Sequence, residues 1–442
     1  MDEGPGLPVS GRGMALTRSK RATVMRWACL LTVTALACAA VFLLRFFPAF
    51  QVAVDHVGQH LHIINSNSNK ILTEELEKRP VVLVTGGLGF IGSHTSLELL
   101  LANYRVVVID NLINAKEEVR NRVETLAGKS LHWYNVDLLN YEDVEMVFKK
   151  HRFDAVIHFA ALKAVGESVE KPLRYYHHNL VSTMHILRAM EAHECFRLVF
   201  SSSACVYGVP RKVPLKEEDT RGPIGDAGHR ASAKAVATNP YGNTKVIIER
   251  VLEDLAQNPK WEVVALRYFN PVGAHPSGCI GEDPHGIPNN LMPYLLRVAK
   301  GEYQELTVYG SDYPTRDGTG VRDFIHVVDL ATGHVAALAN MLSPKPTPGF
   351  RVYNLGTGNG FSVLEMVAEM ERASGTKIRV HMAPRRPGDV PENFADATQA
   401  HADLGWNARL NMKDMCRDSW RFAQGQCDPN FLPNKKTIHP AD

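Results

Sequence analysis

The chain has 442 residues, with 49 Lys and Arg against 47 Asp and Glu, a formal charge of +2, 45% apolar and 22% charged residues. This is globular composition, which excludes a disordered, collagen-like or rod-like chain for the bulk of the sequence. A near-neutral balance with no basic block in the body argues against a nucleic-acid surface. Seven cysteines are too few for a disulfide framework at this length. Cys195, Cys205, Cys279, Cys416 and Cys427 are scattered without metal-ligand spacing and read as unpaired, so no metal site is expected.

Trp27 to Leu44 is a run of 18 uncharged residues, which as a helix rises about 27 Å, just enough to span a bilayer. Arg12, Arg18, Lys20, Arg21 and Arg26 precede it, whereas Arg45 is the sole base of the next twenty residues. The positive-inside rule therefore keeps residues 1–26 cytosolic and makes 27–46 an uncleaved signal anchor of a single-pass type II protein. The body then lies in the lumen of the Golgi or another endomembrane compartment. A cleaved signal peptide ending near Ala37 to Ala39 is the competing reading, and a cytoplasmic location the alternative. Residues 47–79, with the tract Asn65 to Asn69, read as a stem.

From Pro80 apolar strand runs alternate with helical patterns: Val81 to Thr85, Val106 to Asp110, Ala155 to Ala160, Leu198 to Ser202 and Val263 to Tyr268. Such βαβ repetition implies an α/β fold, a Rossmann-like doubly wound parallel sheet over 80–270. From about Pro271 Pro and Gly clusters break the alternation, as a smaller C-terminal substrate-binding lobe over 271–427 does, with 428–442 as a tail. Arg221 to Ala237, rich in Gly and Ala, reads as a surface loop.

The first strand runs into Thr85-Gly86-Gly87-Leu88-Gly89-Phe90-Ile91-Gly92. Glycines there let the backbone approach a pyrophosphate held at a helix N-terminus. Asp110 closes the next strand, where an acid accepts hydrogen bonds from an adenosine ribose and repels a 2′-phosphate, so NAD is expected rather than NADP. A second signal joins the strand-ending Ser201-Ser202-Ser203 to Tyr241 and Lys245, four apart on one helix face. An ammonium beside the phenol lowers its pKa from about 10, as a general base requires, and Ser203 relays the proton to a substrate oxygen.

Beyond these signals, the chain from about Pro80 to Gly425 resembles the UDP-galactose 4-epimerases of the extended short-chain dehydrogenase/reductases. The resemblance lies in Gly86 to His94 (GGLGFIGSH), Phe159 to Ser168 (FAALKAVGES), Ser201 to Gly208 (SSSACVYG), Tyr241 to Lys245, Arg267 to Gly278 (RYFNPVGAHPSG), Gly286 to Tyr294 (GIPNNLMPY), Gly318 to His326 (GTGVRDFIH) and Arg385 to Asp389 (RRPGD). It implies Ser203, Tyr241 and Lys245 as the catalytic trio. It also implies an NAD site built from Gly86, Gly89, Phe90, Ile91, Gly92, Asp110, Asn111, Asp137, Leu138, Phe159, Ala160, Lys163, Asn179 and Phe269, shared with the trio. Asn270, Asn290, Leu291, Tyr309, Arg322, Arg386 and Asp389 are implied to hold the UDP-sugar with Ser203 and Tyr241, two arginines suiting a diphosphate. A homodimer through helices of the NAD domain is implied as well.

The activity implied is epimerisation at C4: Tyr241 removes the 4-hydroxyl proton, NAD takes the hydride, and the 4-keto sugar turns over and recovers both on its other face. NAD then stays tightly bound and is regenerated each turnover. Cys205 stands where a threonine is usual, and Asn393 where a tyrosine in some members closes the pocket beside the sugar C2 substituent. UDP-N-acetylhexosamines are therefore expected to be accepted with UDP-glucose and UDP-galactose. A UDP-xylose/UDP-arabinose 4-epimerase inverts the same carbon and is an alternative. A 4,6-dehydratase is disfavoured because Ser203-Ala204-Cys205 lacks its usual Asp-Glu pair, and a non-catalytic NAD-binding membrane scaffold leaves the intact trio unexplained.

Overall fold

The computed structural model describes residues 79–220, 237–345, 347–386 and 388–431. The expected anchor at 27–46, the stem up to Lys78 and nearly all of the Arg221 to Ala237 loop lie outside the described residues. Among those described, no helix is long and apolar enough to cross a membrane.

Val81–Thr85 (β1) is an apolar and β-branched run buried at every position, as a central strand covered on both faces must be. Phe90–Leu101 (α1) leads back to Arg105–Asp110 (β2), Glu118–Ala127 (α2) and His132–Asn135 (β3). Tyr141–Lys150 (α3) crosses to Ala155–His158 (β4), followed by Val165–Glu170 (α4), Pro172–Tyr176 (α5) and Ser182–Ala192 (α6). Arg197–Ser203 (β5), Pro240–Leu255 (α7) and Glu262–Tyr268 (β6) complete the second half.

The sheet has seven parallel strands, ordered from one edge as Gly349–Leu355, β6, β5, β4, β1, β2, β3. The chain winds outward from β1 in one direction and then, from β4, in the other. A crevice therefore opens at the carboxyl ends of β1 and β4, where ligands bind in such sheets. The two faces are sealed by separate apolar clusters, one around Val82, Val84, Leu97 and Val108, the other around Leu83, Val107, Val156 and Phe200.

After β6 the chain builds a second core from Met292, Leu295, Leu306, Phe324, Met366 and Met415. Around it lie short pairings such as Phe324–His326 with Asn270–Val272 and Val380–Ala383 with Leu306–Tyr309. The lobe is not contiguous: Val327–Met341 packs on α1, and Gly349–Leu355 joins the main sheet beside β6. The reading of all body cysteines as unpaired is also corrected. Cys279 and Cys427 form a disulfide across 148 positions, while Cys195, Cys205 and Cys416 are free. A pair so far apart has no local spacing to announce it.

Candidate active site

The glycine turn after β1 is enforced by space. Gly86 has φ +66°, and a Cβ on Gly92 would stand 2.1 Å from the Gly86 carbonyl oxygen. Gly89, extended with φ −69° and ψ 177°, starts α1 without any side-chain cap, and no acid occupies the first turn. The free amides of that turn and the N-terminal end of the helix dipole therefore face a cavity that accepts an anion. Asp110, at the end of β2, takes the amide of Leu88 on one oxygen at 3.1 Å and that of Leu112 on the other at 2.9 Å. Burial pushes its carboxyl above the usual range and these amides oppose the shift. Asn111 donates to Asp137 at 3.3 Å, joining the ends of β2 and β3 along the same cavity.

Across the crevice, Ser203 ends β5 with an extended backbone, its hydroxyl oxygen accepting from the Cys205 amide at 3.2 Å. Helix α7, which carries Tyr241 and Lys245, begins at a defined point: Asn239 caps the Gly242 amide at 2.8 Å and Pro240 occupies the first turn. Gly242 is required there, since a Cβ would meet that of Ala237 at 2.8 Å and that of Cys205 at 3.1 Å. This contact seats the start of α7 on the turn after β5 and brings Tyr241 to Ser203.

Lys245 is buried; its Nζ donates to the Ser201 carbonyl at 2.6 Å and lies 4.8 Å from the Phe200 ring centre and 5.9 Å from that of Tyr241. Burial pulls its pKa down to about 7, while Glu249 and Cys205 act the other way. The phenol of Tyr241 is pushed well above its ordinary value by burial and by Cys205, with the Ser203 hydroxyl opposing. The sequence places an ammonium beside this phenol to lower its pKa; in the structure burial outweighs any such effect. The ammonium is turned toward a strand carbonyl, and desolvation dominates.

One cavity is lined by Gly86, Gly89, Phe90, Ile91, Gly92, Asp110, Asn111, Asp137, Leu138, Phe159, Ala160, Lys163, Ser203, Tyr241, Lys245 and Phe269, together with Asn270, Asn290 and Leu291. Asn179 does not line it. That side chain is buried behind the wall, bonded to the amide of Leu162 at 2.8 Å, its carbonyl at 3.1 Å and Thr244 at 3.0 Å, so it shapes the wall indirectly.

Tyr309, Arg322, Arg386, Asp389 and Asn393 form a separate cluster outside that lining. Asp389 lies 4.0 Å from Arg322 and 3.0 Å from Arg386, whose guanidinium covers Tyr309 at 4.8 Å. Asn393 pairs with Arg322 across neighbouring strands, and its Oδ1 is buried without a partner. Arg322 acts electrostatically on Cys205, which does line the cavity, so the cluster adjoins it on the Ser203 side. Sequence reasoning missed Glu282, a lining residue that accepts from Lys163 at 2.8 Å and Asn290 at 3.1 Å. Nothing in a lone Gly-Glu-Asp run signals it, and an acid facing a nucleotide cavity is counterintuitive until its cation is seen.

The cavity fits a dinucleotide: a turn with no room for a Cβ, a helix N-terminus free of acids, and a strand-end carboxylate in sequence along one wall. Residues 82–356 match the NAD dependent epimerase/dehydratase family. A UDP-glucose 4-epimerase of Bacillus subtilis is 54% identical over 342 residues, covering 77% of this chain and 96% of its own. A bifunctional UDP-glucose 4-epimerase and UDP-xylose 4-epimerase of Pisum sativum is 51% identical, covering 78% and 95%. The crystal structure of UDP-glucose 4-epimerase from Bifidobacterium longum in complex with NAD+ and UDP superposes with a TM-score of 0.72 at 48% identity, over 78% of this chain and 98% of that one. The chain belongs to the NAD dependent epimerase/dehydratase family and, within it, to the UDP-glucose 4-epimerases.

Proposed function

We infer that this protein epimerises C4 of a UDP-sugar, interconverting UDP-glucose and UDP-galactose through a transient 4-keto sugar. The observation that carries this is that Ser203 and Tyr241 line the same cavity as the glycine turn and Asp110. When bound, NAD supplies a cationic acceptor for the C4 hydride and returns it, so no net oxidation occurs. Gly86, Gly89, Phe90, Ile91 and Gly92 hold its pyrophosphate, Asp110 and Asn111 a ribose, and Asp137 and Leu138 the adenine. Phe159, Ala160, Lys163 and Phe269 supply the remaining contacts.

Tyr241 takes the 4-hydroxyl proton, directly or through Ser203, and gives it back after the keto sugar has turned its other face. Lys245 holds the backbone of β5 and places a positive charge behind the phenol. Asn270, Asn290 and Leu291 position the sugar nucleotide, with Tyr309, Arg322, Arg386 and Asp389 at its diphosphate. The full chain incubated with UDP-galactose should yield UDP-glucose and release bound NAD only on denaturation. No conversion with NAD present would reject the reading.

Two broader substrates follow. Asn393 leaves space where a tyrosine would close the C2 side, so UDP-N-acetylhexosamines should be accepted. The Pisum sativum relative, named for both activities, favours UDP-xylose as a further substrate. We assign the NAD-binding part to 80–270, joined by the returning segment 327–355, and the UDP-sugar lobe mainly to 271–427. Residues 27–46 are proposed to anchor the protein with its body lumenal. The Cys279–Cys427 disulfide supports this, since such bonds persist in oxidising compartments; protease protection in sealed microsomes tests it. A homodimer is proposed through α4, α5 and α7, which pack together and expose Val169 (62%), Leu173 (81%) and Ile247 (39%). Sedimentation at micromolar concentration decides it.

A further inference from the structure

Three successive serines end β5, and each meets a different residue of one stripe on α7. Ser201 offers its carbonyl to Lys245 at 2.6 Å, Ser202 donates its hydroxyl to Glu249 at 2.5 Å, and Ser203 stands beside Tyr241. Tyr241, Lys245 and Glu249 are four apart and share one helix face. Glu249 takes no place in the cavity. It is buried, and both its oxygens are held by Arg267 of β6, from Nε at 3.0 Å and from the terminal nitrogen at 2.7 Å. Arg267 in turn donates to Tyr207 at 3.1 Å, to the Glu217 carbonyl at 2.9 Å and to Thr220 at 3.1 Å. A carboxylate and a guanidinium are thus withdrawn from water at the far end of the catalytic stripe, where an apolar pair would pack as well.

We propose that Glu249 is a positioning residue for the epimerisation: with Ser202 and Arg267 it fixes the register of α7 on β5, and it holds a carboxylate one helical turn from Lys245.

The other groups facing Lys245 do not replace it. His158 of β4 accepts from Thr85 at 2.7 Å on one ring nitrogen and donates to Thr183 at 3.0 Å with the other, an arrangement met by the neutral ring. Burial and Lys245 itself hold its pKa down to about 3. Cys205, on the turn after β5, acts in the same direction as Glu249 but less strongly, since burial raises the pKa of its thiol. Arg267 brings a like charge, but one directed into Glu249. Glu249 is therefore the carboxylate whose charge reaches the ammonium through the stripe.

The inference rests on the epimerase reading, and full-chain holoenzyme assayed with UDP-galactose separates the two: a wild type without turnover fails that reading, not this one. In Glu249→Gln the alkaline limb of the kcat profile should move to lower pH by about one unit, because Lys245 then loses its proton sooner. Glu249→Asp keeps the charge on a shorter arm, so its limb should stay in place while kcat falls. Ser202→Ala keeps every charge and should lower kcat about 5-fold with KM and bound NAD unchanged, as loss of one orienting bond does. If Glu249→Gln fails to fold with Arg267 left unpaired, the Asp and Ser202→Ala variants still decide. An unmoved limb in folded Glu249→Gln, a shifted limb in Glu249→Asp, or wild-type kcat in Ser202→Ala overturns the proposal.

Discussion

Gly92→Ala is the sharpest single test of the cofactor wall. The added Cβ would lie 2.1 Å from the Gly86 carbonyl oxygen and 2.8 Å from the Gly87 Cα, inside the 3.0 Å that Cβ atoms essentially never breach. Both obstructing atoms are backbone, so no rotamer relieves the clash, and α1 must lift from the turn by about 1 Å. Overpacking of this kind costs about 1–3 kcal/mol, a fall in Tm of about 2–6 °C for a domain of this size. The displaced first-turn amides lose one or two charge-assisted hydrogen bonds to an anion, about 1.5–3 kcal/mol each, so NAD affinity should drop at least 10-fold. Purified protein is denatured and its NAD counted per chain, and thermal unfolding is followed in parallel. Gly89→Ala is the control: its Cβ meets only the Gly86 oxygen, at 3.3 Å, in a backbone conformation open to any residue. A Gly92→Ala protein that carries as much NAD as wild type and melts within about 1 °C of it would refute the reasoning, since overpacking is expected to cost more than that.

Tyr241→Phe should abolish turnover of UDP-galactose by orders of magnitude while retaining bound NAD, and a merely several-fold loss would remove the phenol from the proton path. Asn393→Tyr should cut turnover of UDP-N-acetylgalactosamine far more than that of UDP-galactose; equal losses would show that this position does not enclose the C2 substituent. Cys427→Ser should lower stability by about 2–4 kcal/mol, because a bridge spanning 148 positions restricts the unfolded chain, and unchanged denaturant midpoints would contradict it. Glu98, buried on α1 with Asp329 nearby, has a pKa pushed up to about 7 by burial first and by that neighbouring charge second. Its folded value exceeds its unfolded one, so the folded chain holds the extra proton and stability falls as pH rises from about 4.5 to 7. Glu98→Gln should flatten that slope in pH-dependent unfolding, and an identical slope would discount the group.

The sheet was legible wherever burial on both faces left a continuous apolar run, as in Val81–Thr85 and Arg105–Asp110. The strand Gly349–Leu355 was not, because it opens with Gly, Phe and Arg, is only partly buried over its first three residues, and lies on the sheet edge beside a strand that precedes it by more than 80 residues. The contiguous motifs come together along one wall of the cavity, where a turn, a helix start and a strand end are each local. Asn179 failed because a buried amide near a cavity serves backbone groups as readily as a ligand, and only its three bonds to Leu162 and Thr244 decide which. The four-residue spacing of Tyr241 and Lys245 likewise fixed a shared face but not the ammonium's partner. That partner is a carbonyl on another element.

The charged groups along the cavity and in the cluster that adjoins it differ in how fully they are neutralised. Lys163 is matched by Glu282 and Lys116 by Asp283, at 2.8 and 2.5 Å, while the His285 amide donates to Asn114 and the Cys279 carbonyl accepts from Arg122. These bonds draw segment 279–285 of the second lobe onto the end of β2, α2 and the turn after β4, and the disulfide fixes the root of that segment to Cys427. The wall over Asp110 and Asn111 is thereby closed by contacts that owe nothing to a ligand. Arg322 and Arg386 differ, since two guanidiniums share the single carboxylate of Asp389 and retain one net positive charge. An anion arriving on that side gains attraction without first breaking a matched pair. On the proposed assignment, the latched side would suit a cofactor retained through turnover, and the under-neutralised side a substrate exchanged at each turnover.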